Sequence, residues 1–225
     1  MTTNIKSDEE KREDFLASLR PANYLMYKNY DFAARWESLL MIATAMLPNF
    51  QIYDESRRIY ENGIRYFSGD PKCEWNLKKG IYLYGKIGSG KTTFFRIFKA
   101  LNDATKTGNT FRKFNMLEII DGYQKNGSEY FKSMNYSDAM RSVASNILID
   151  DLGQAANNAK YYGNSTNIIS ELIQRRYLTF TDNYKLTHIS TNLEPQEIGE
   201  NGEFVSSRMR EMFNIILFPG NDKRK

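Results

Sequence analysis

Apolar residues along this chain change their spacing near residue 80. Before that point they recur at helical intervals. From Asp31 to Leu47, the residues Phe32, Trp36, Leu39, Leu40, Ile42 and Met46 form an amphipathic helix that Pro48 stops. From Asp54 to about Phe67, Tyr60, Ile64 and Phe67 fall at i, i+4 and i+7 on one helical face, although Gly63 weakens the middle of that helix. Ser7-Asp8-Glu9-Glu10 has the form of a capping box, opening a short charged helix to about Leu19 with Pro21 close behind. Residues 1–70 therefore read as a small helical region, and Gly69-Asp70-Pro71 as a hinge into residues 71–225.

From Gly80 onward, short apolar runs alternate with helical spacing. Gly80–Tyr84, Phe111–Asn115, Ser145–Asp151, Lys185–Ser190 and Asn214–Phe218 read as strands. Between them, Thr92–Leu101, Leu117–Gln124, Glu129–Met134 and Thr166–Phe180 read as helices. Strands separated by helices imply right-handed crossovers, a parallel sheet and a three-layer α/β fold. Ligands in such folds sit at the carboxyl ends of the strands.

The first of these strand ends carries chemistry. Gly85-Lys86-Ile87-Gly88-Ser89-Gly90-Lys91-Thr92 matches G-x-x-x-x-G-K-[ST], and Thr93 follows it into a helix. Strand, glycine loop and helix together form a phosphate-binding loop, so the fold expected is that of a P-loop NTPase. Its backbone N–H groups and the helix N-terminus offer donors to a polyphosphate. Lys91 would reach the β- and γ-phosphates of ATP, and the Thr92 hydroxyl would ligate Mg²⁺. The apolar strand Asn146–Ile149 ends in Asp150-Asp151, two acids that are costly to desolvate without a use. The simplest assignment puts Asp150 in the Mg²⁺ shell and Asp151 on the attacking water. Leu186–Asn192 is another strand with a polar tip, which makes Asn192 a candidate sensor of the γ-phosphate. His188, the sole histidine, lies mid-strand and reads as a packing residue. Ser206–Met212 reads as a solvated helix face, with Arg208 or Arg210 available as a finger toward a neighbouring subunit.

Bulk composition narrows the partners only slightly. A net charge of +4 permits nucleic acid without requiring it. The single cysteine, Cys73, excludes an internal disulfide framework and has no companions for zinc. Neither an apolar signal core at the N-terminus nor a long uncharged apolar run is present, so a cytoplasmic protein with no membrane partner is expected.

These stations in this order resemble the DnaC/IstB branch of the AAA+ ATPases, the helicase loaders and transposition helpers. The matching segments are Gly80–Gly85 leading into the loop, Ile149-Asp150-Asp151-Leu152-Gly153, Thr191-Asn192-Leu193, and Gln174–Tyr177 as a helix end. Ser207-Arg208-Met209 and Gly220–Arg224 resemble the family's closing pattern. The likeness spans about residues 76–224 and implies an AAA+ core. No separate lid domain is expected, because the chain ends soon after its last strand. The resemblance makes Arg208 the finger acting in trans and Arg224 a second basic contact. It also implies single-stranded DNA binding, nucleotide-dependent homo-oligomers, and a replicative helicase or transposase as partner, gripped by analogy through the helices at 31–67. Arg112-Lys113 and Lys160 beside Tyr161 and Tyr162 are the only local support for DNA contact. Relatives in this branch often carry glutamate where Asp151 stands, and the shorter side chain implies slow turnover. Four readings follow: a helicase loader, a transposition helper, a nucleotide-gated adaptor that hardly hydrolyses ATP, and a small-molecule kinase. The Asp-Asp and Thr-Asn strand ends fit water activation better than a kinase acceptor pocket.

Overall fold

A computed structural model describes residues 25, 29–107, 109–135, 145–153, 158–161, 164–199, 202–220 and 222. The charged helix expected at Asp8–Leu19, and the positions Tyr162 and Arg224, lie outside the described residues.

Helix α1 (Phe32–Met46) begins where Asp31 caps it, its carboxylate accepting from the N–H groups of Ala33 and Ala34. Helix α2 (Asp54–Phe67) follows. Gly63 in its middle costs helix propensity but answers a packing demand. A Cβ there would lie 2.5 Å from the Phe98 ring, so only glycine lets α2 approach the next helix this closely.

The remaining elements alternate as the spacing predicts. They are β1 (Gly80–Tyr84), α3 (Lys91–Thr105), β2 (Arg112–Asn115), α4 (Met116–Asn126), α5 (Glu129–Asn135) and β3 (Ile147–Leu152). A hairpin of β4 (Asn158–Tyr161) and β5 (Asn164–Asn167) leads to α6 (Ile168–Asn183). Strand β6 (Thr187–Thr191), helices α7 (Pro195–Gly199) and α8 (Glu203–Met212), and β7 (Phe213–Leu217) complete the order. Neighbouring strands of the main sheet are all parallel, in the order β2-β3-β6-β1-β7. The antiparallel hairpin is a difference from the expected pattern. Its strands, Asn-Ala-Lys-Tyr and Asn-Ser-Thr-Asn, are only four residues each and mostly polar, too short a run to betray them, and α6 starts only after Asn167 caps it.

Successive strand residues point to opposite faces, and both faces are buried. Tyr82, Ile147, Ile149 and Ile189 face one core with Ile119, Leu172 and Met209. Ile81, Leu83 and Leu148 face the other, where α1 and α2 join α3 through Leu39, Tyr60, Ile64, Phe94 and Phe98. The helices at 32–67 therefore cover the same sheet face as α3. That placement brings the segment between α1 and α2 next to the glycine loop.

Candidate functional site

The loop between β1 and α3 reverses through backbone angles that favour glycine. Gly88 and Gly90 have φ of 75° and 111°, and Gly90 is the left-handed residue from which α3 starts. No side chain caps α3, so its first N–H groups remain available to an anion. Ser89 is fully buried, and its Oγ has no hydrogen-bond partner among the described residues. A buried orphan hydroxyl in this loop fits a polar ligand. Lys91 is only 6% exposed, and its Nζ donates to the carbonyls of Gly85 and Lys86 and to Asn192 Oδ1, each at 2.8 Å. The loop and the tip of β6, far apart in sequence, therefore meet at one ammonium.

The acids of β3 lie alongside. Asp150 is buried, and its Oδ1 accepts from the Thr92 hydroxyl at 2.9 Å and from the Ser190 hydroxyl. Its Oδ2 pairs with Lys113 Nζ at 2.6 Å. Thr92 and Asp150, the expected metal-side pair, are in direct contact, and both offer the hard oxygen that Mg²⁺ prefers. Among the described residues no group of three or more His, Cys, Asp or Glu could hold a metal. Mg²⁺ here would take its other ligands from phosphate and water, as is usual for that ion.

Asp151 departs from the strand. Its φ is 60°, in the left-handed region, and the β3–β6 register shifts between Ile149 and Leu152. An unbroken strand would send adjacent side chains to opposite faces. The irregularity brings Asp151 to the cavity wall, while Asp150 holds Thr92. Side chains of β6 satisfy the disturbed backbone: Ser190 Oγ accepts the Asp151 N–H at 3.3 Å, and the Thr191 hydroxyl donates to the Leu152 carbonyl at 2.7 Å.

Beside these groups lies a cavity of about 430 Å³, within the range of small-molecule sites, which Asp151 lines and Asp150 does not. Ile87 to Thr93, Asp151 and Asn192 form one wall. Leu47 to Gln51, Tyr53 and Tyr60 form the other. Of the expected loop residues, Gly85 and Lys86 hold Lys91 rather than lining the cavity. The second wall carries no motif, and its only signal is Pro48, Phe50 and Tyr53 between two helices. Asp222, after β7, lies against Gly88, where a Cβ would come within 2.0 Å of its carboxylate.

Two residues singled out from the sequence stand elsewhere. Arg208 does not line this chain's own cavity; its guanidinium sits 4.9 Å above the Tyr177 ring, whose hydroxyl donates to Glu211. His188 is packed among the rings of Phe67, Phe95 and Phe111, and its Nδ1 accepts the Ile81 N–H at 3.2 Å. Burial, aided by Arg176, pushes its pKa down to about 3, so it is neutral and structural. Arg112 and Lys113 do not form one basic spot. Arg112 stacks over Phe114, while Lys113 reaches Asp150.

Among the described residues, no helix is long and apolar enough to cross a membrane. Solved structures share the fold at low identity. DnaI superposes with a TM-score of 0.55 and 17% identity, over 82% of this chain and 93% of that one. A Streptococcus pyogenes serotype M3 protein assigned as a primosome component gives 0.53 and 16%, over 79% and 87%. Domain III of the Thermotoga maritima replication initiation protein DnaA gives 0.50 and 16%, over 76% and 65%. No curated protein sequence matches the chain. The profile of the ATPase family associated with various cellular activities matches residues 81–215, which hold the glycine loop, both acids, Asn192 and Arg208, and the chain belongs to that AAA family.

Proposed function

We propose that this chain binds ATP with Mg²⁺, hydrolyses it slowly, and works in the cytoplasm as a DnaC-like helicase loader in DNA replication. The observation that carries this reading is the convergence of Lys91, Thr92, Asp151 and Asn192, from three separate elements, on one cavity, with Asp150 buried behind Thr92 and bonded to it. The loop amides and Lys91 take the β- and γ-phosphates. Segment 47–53 and Tyr60 receive the nucleoside, with Phe50 and Tyr53 as apolar walls for the base. Thr92 and Asp150 would hold Mg²⁺, which supplies neutralisation of phosphate charge. Asp151, at the cavity wall, orients the attacking water, and Asn192 links the γ-phosphate position to Lys91. Asp151 is one methylene shorter than a glutamate, which supports slow turnover.

Arg208 stands outside its own cavity, which favours action in trans on a neighbour's nucleotide within a nucleotide-dependent homo-oligomer. Residues 1–70 serve as the partner-binding part, with the outer surfaces of α1 and α2 turned toward a replicative helicase. Single-stranded DNA is the second partner, by resemblance to the loader branch. The test is ATP turnover against protein concentration, with and without single-stranded DNA. A rate per subunit that climbs with both supports finger-dependent assembly on DNA. A flat, near-zero rate with tight ATP binding rejects the hydrolytic reading and leaves a nucleotide-gated adaptor.

A further inference from the structure

Asp150 is a carboxylate in demand. It is 1% exposed, and three elements supply its partners: Thr92 from α3, Ser190 from β6 and Lys113 from β2. A buried carboxylate needs a compensating cation, and breaking such a pair leaves a costly lone charge. In the protein alone Lys113 supplies that cation, at 2.6 Å. Lys113 is two residues before Asn115, the register partner of Asp150, so its side chain reaches along the sheet to the acid. Its side chain is 36% exposed, which leaves the ammonium a route back to water. Mg²⁺ arriving beside Thr92 would bring two further positive charges to the same carboxylate. Like charges on one acid repel, so the ammonium and the metal compete for it.

We propose that Lys113 is the resident counter-ion of Asp150 and a competitor of Mg²⁺, and so sets how much Mg²⁺ nucleotide binding requires. The inference rests on Asp150 being the metal-side acid of the phosphate loop. Lys113 acts through Asp150 and is a positioning residue. Its loss weakens nothing that touches nucleotide directly, but it frees the acid for the metal.

The experiment titrates MgCl₂ against the purified chain and a fluorescent N-methylanthraniloyl-ADP. Lys113→Gln removes the charge and keeps a hydrogen-bond donor. Its half-saturating Mg²⁺ falls roughly tenfold, the equivalent of one charge-assisted hydrogen bond released from competition. Lys113→Arg keeps the charge and leaves the half-saturation at the wild-type value. Equal Mg²⁺ dependence in wild type and Lys113→Gln overturns the proposal, as does an arginine variant that behaves like the glutamine. Thermal melts without nucleotide run alongside. Mg²⁺ raises the melting temperature of Lys113→Gln more than that of wild type, because the metal replaces the lost cation. A Lys113→Gln protein equally destabilised with and without Mg²⁺ also overturns the proposal. Wild type that binds no analogue at any Mg²⁺ concentration counts against the phosphate loop instead, and the melts still read Lys113 on its own.

Discussion

Replacing Ser190 by alanine strikes the joint between the two acids. Ser190 is buried in β6, and its hydroxyl donates to Asp150 Oδ1 while accepting the Asp151 N–H at 3.3 Å. The substitution removes a hydrogen bond to a charged group, worth about 2 kcal/mol. It also strips the Asp151 N–H of that acceptor; the bond is long, so this costs about 1 kcal/mol. Thr92 and Lys113 still hold Asp150, so the loss stops at about 3 kcal/mol. For a chain of this size that lowers the melting temperature by roughly 6–12 °C. Urea and thermal unfolding of wild type and Ser190→Ala measure it. Ser38→Ala serves as control, since its hydroxyl bonds an exposed helical carbonyl and the change should fall within about 0.5 kcal/mol. Turnover should drop in Ser190→Ala while ATP affinity holds, because Lys91 and the loop keep their contacts. A Ser190→Ala protein within about 0.5 kcal/mol of wild type would refute the reasoning that this hydroxyl supports the irregular end of β3 at Asp151.

Asp151→Asn should fold normally, because asparagine tolerates the left-handed backbone, and should retain bound ATP without turning it over. A normal rate in single-turnover assays removes Asp151 as the water-orienting group. Mixing Arg208→Ala with Lys91→Ala protein should restore part of the ATPase activity that each lacks. No recovery rules out action of Arg208 in trans. Burial holds the pKa of His188 at about 3 in the folded state, against an ordinary 6.5. The unfolded chain therefore binds more protons across that interval. Stability is full above about pH 6.5 and is lost as pH falls toward 3, by up to about 1.4 kcal/mol per pH unit. His188→Asn keeps an acceptor for the Ile81 N–H and should flatten that slope in urea titrations between about pH 6 and pH 4. An unchanged slope would mean that His188 does not titrate with unfolding.

The parts of this site that are legible in the sequence are those set by local backbone demands. Gly88 and Gly90 must adopt positive φ, and Lys91 and Thr92 must follow at fixed offsets, so the loop declares itself. Asp150-Asp151 and Asn192 declare themselves as polar tips on apolar strands. Lys113 and Ser190 do not, because their roles depend on which strands lie beside β3 and in what register. Lys113 in isolation reads as half of a basic surface pair. The wall at 47–53 is invisible for the same reason, since only the packing of α1 and α2 onto α3 brings it to the loop. Gly63 misleads in the opposite sense: a residue poor in helix propensity sits mid-helix because the Phe98 ring leaves no room for a side chain. The β4–β5 hairpin gives no clear periodic signal because its strands are only four residues long and mostly polar.

Calorimetric titration of ATP into wild type and Lys91→Ala, each with Mg²⁺ present, tests the nucleotide site most directly. Lys91 Nζ is the ammonium on which the loop and Asn192 converge. Saturable one-to-one binding by wild type, lost or weakened at least about a hundredfold in Lys91→Ala, is the expected result. Equal affinity in the two proteins would contradict it and remove the phosphate loop from the chemistry of this chain.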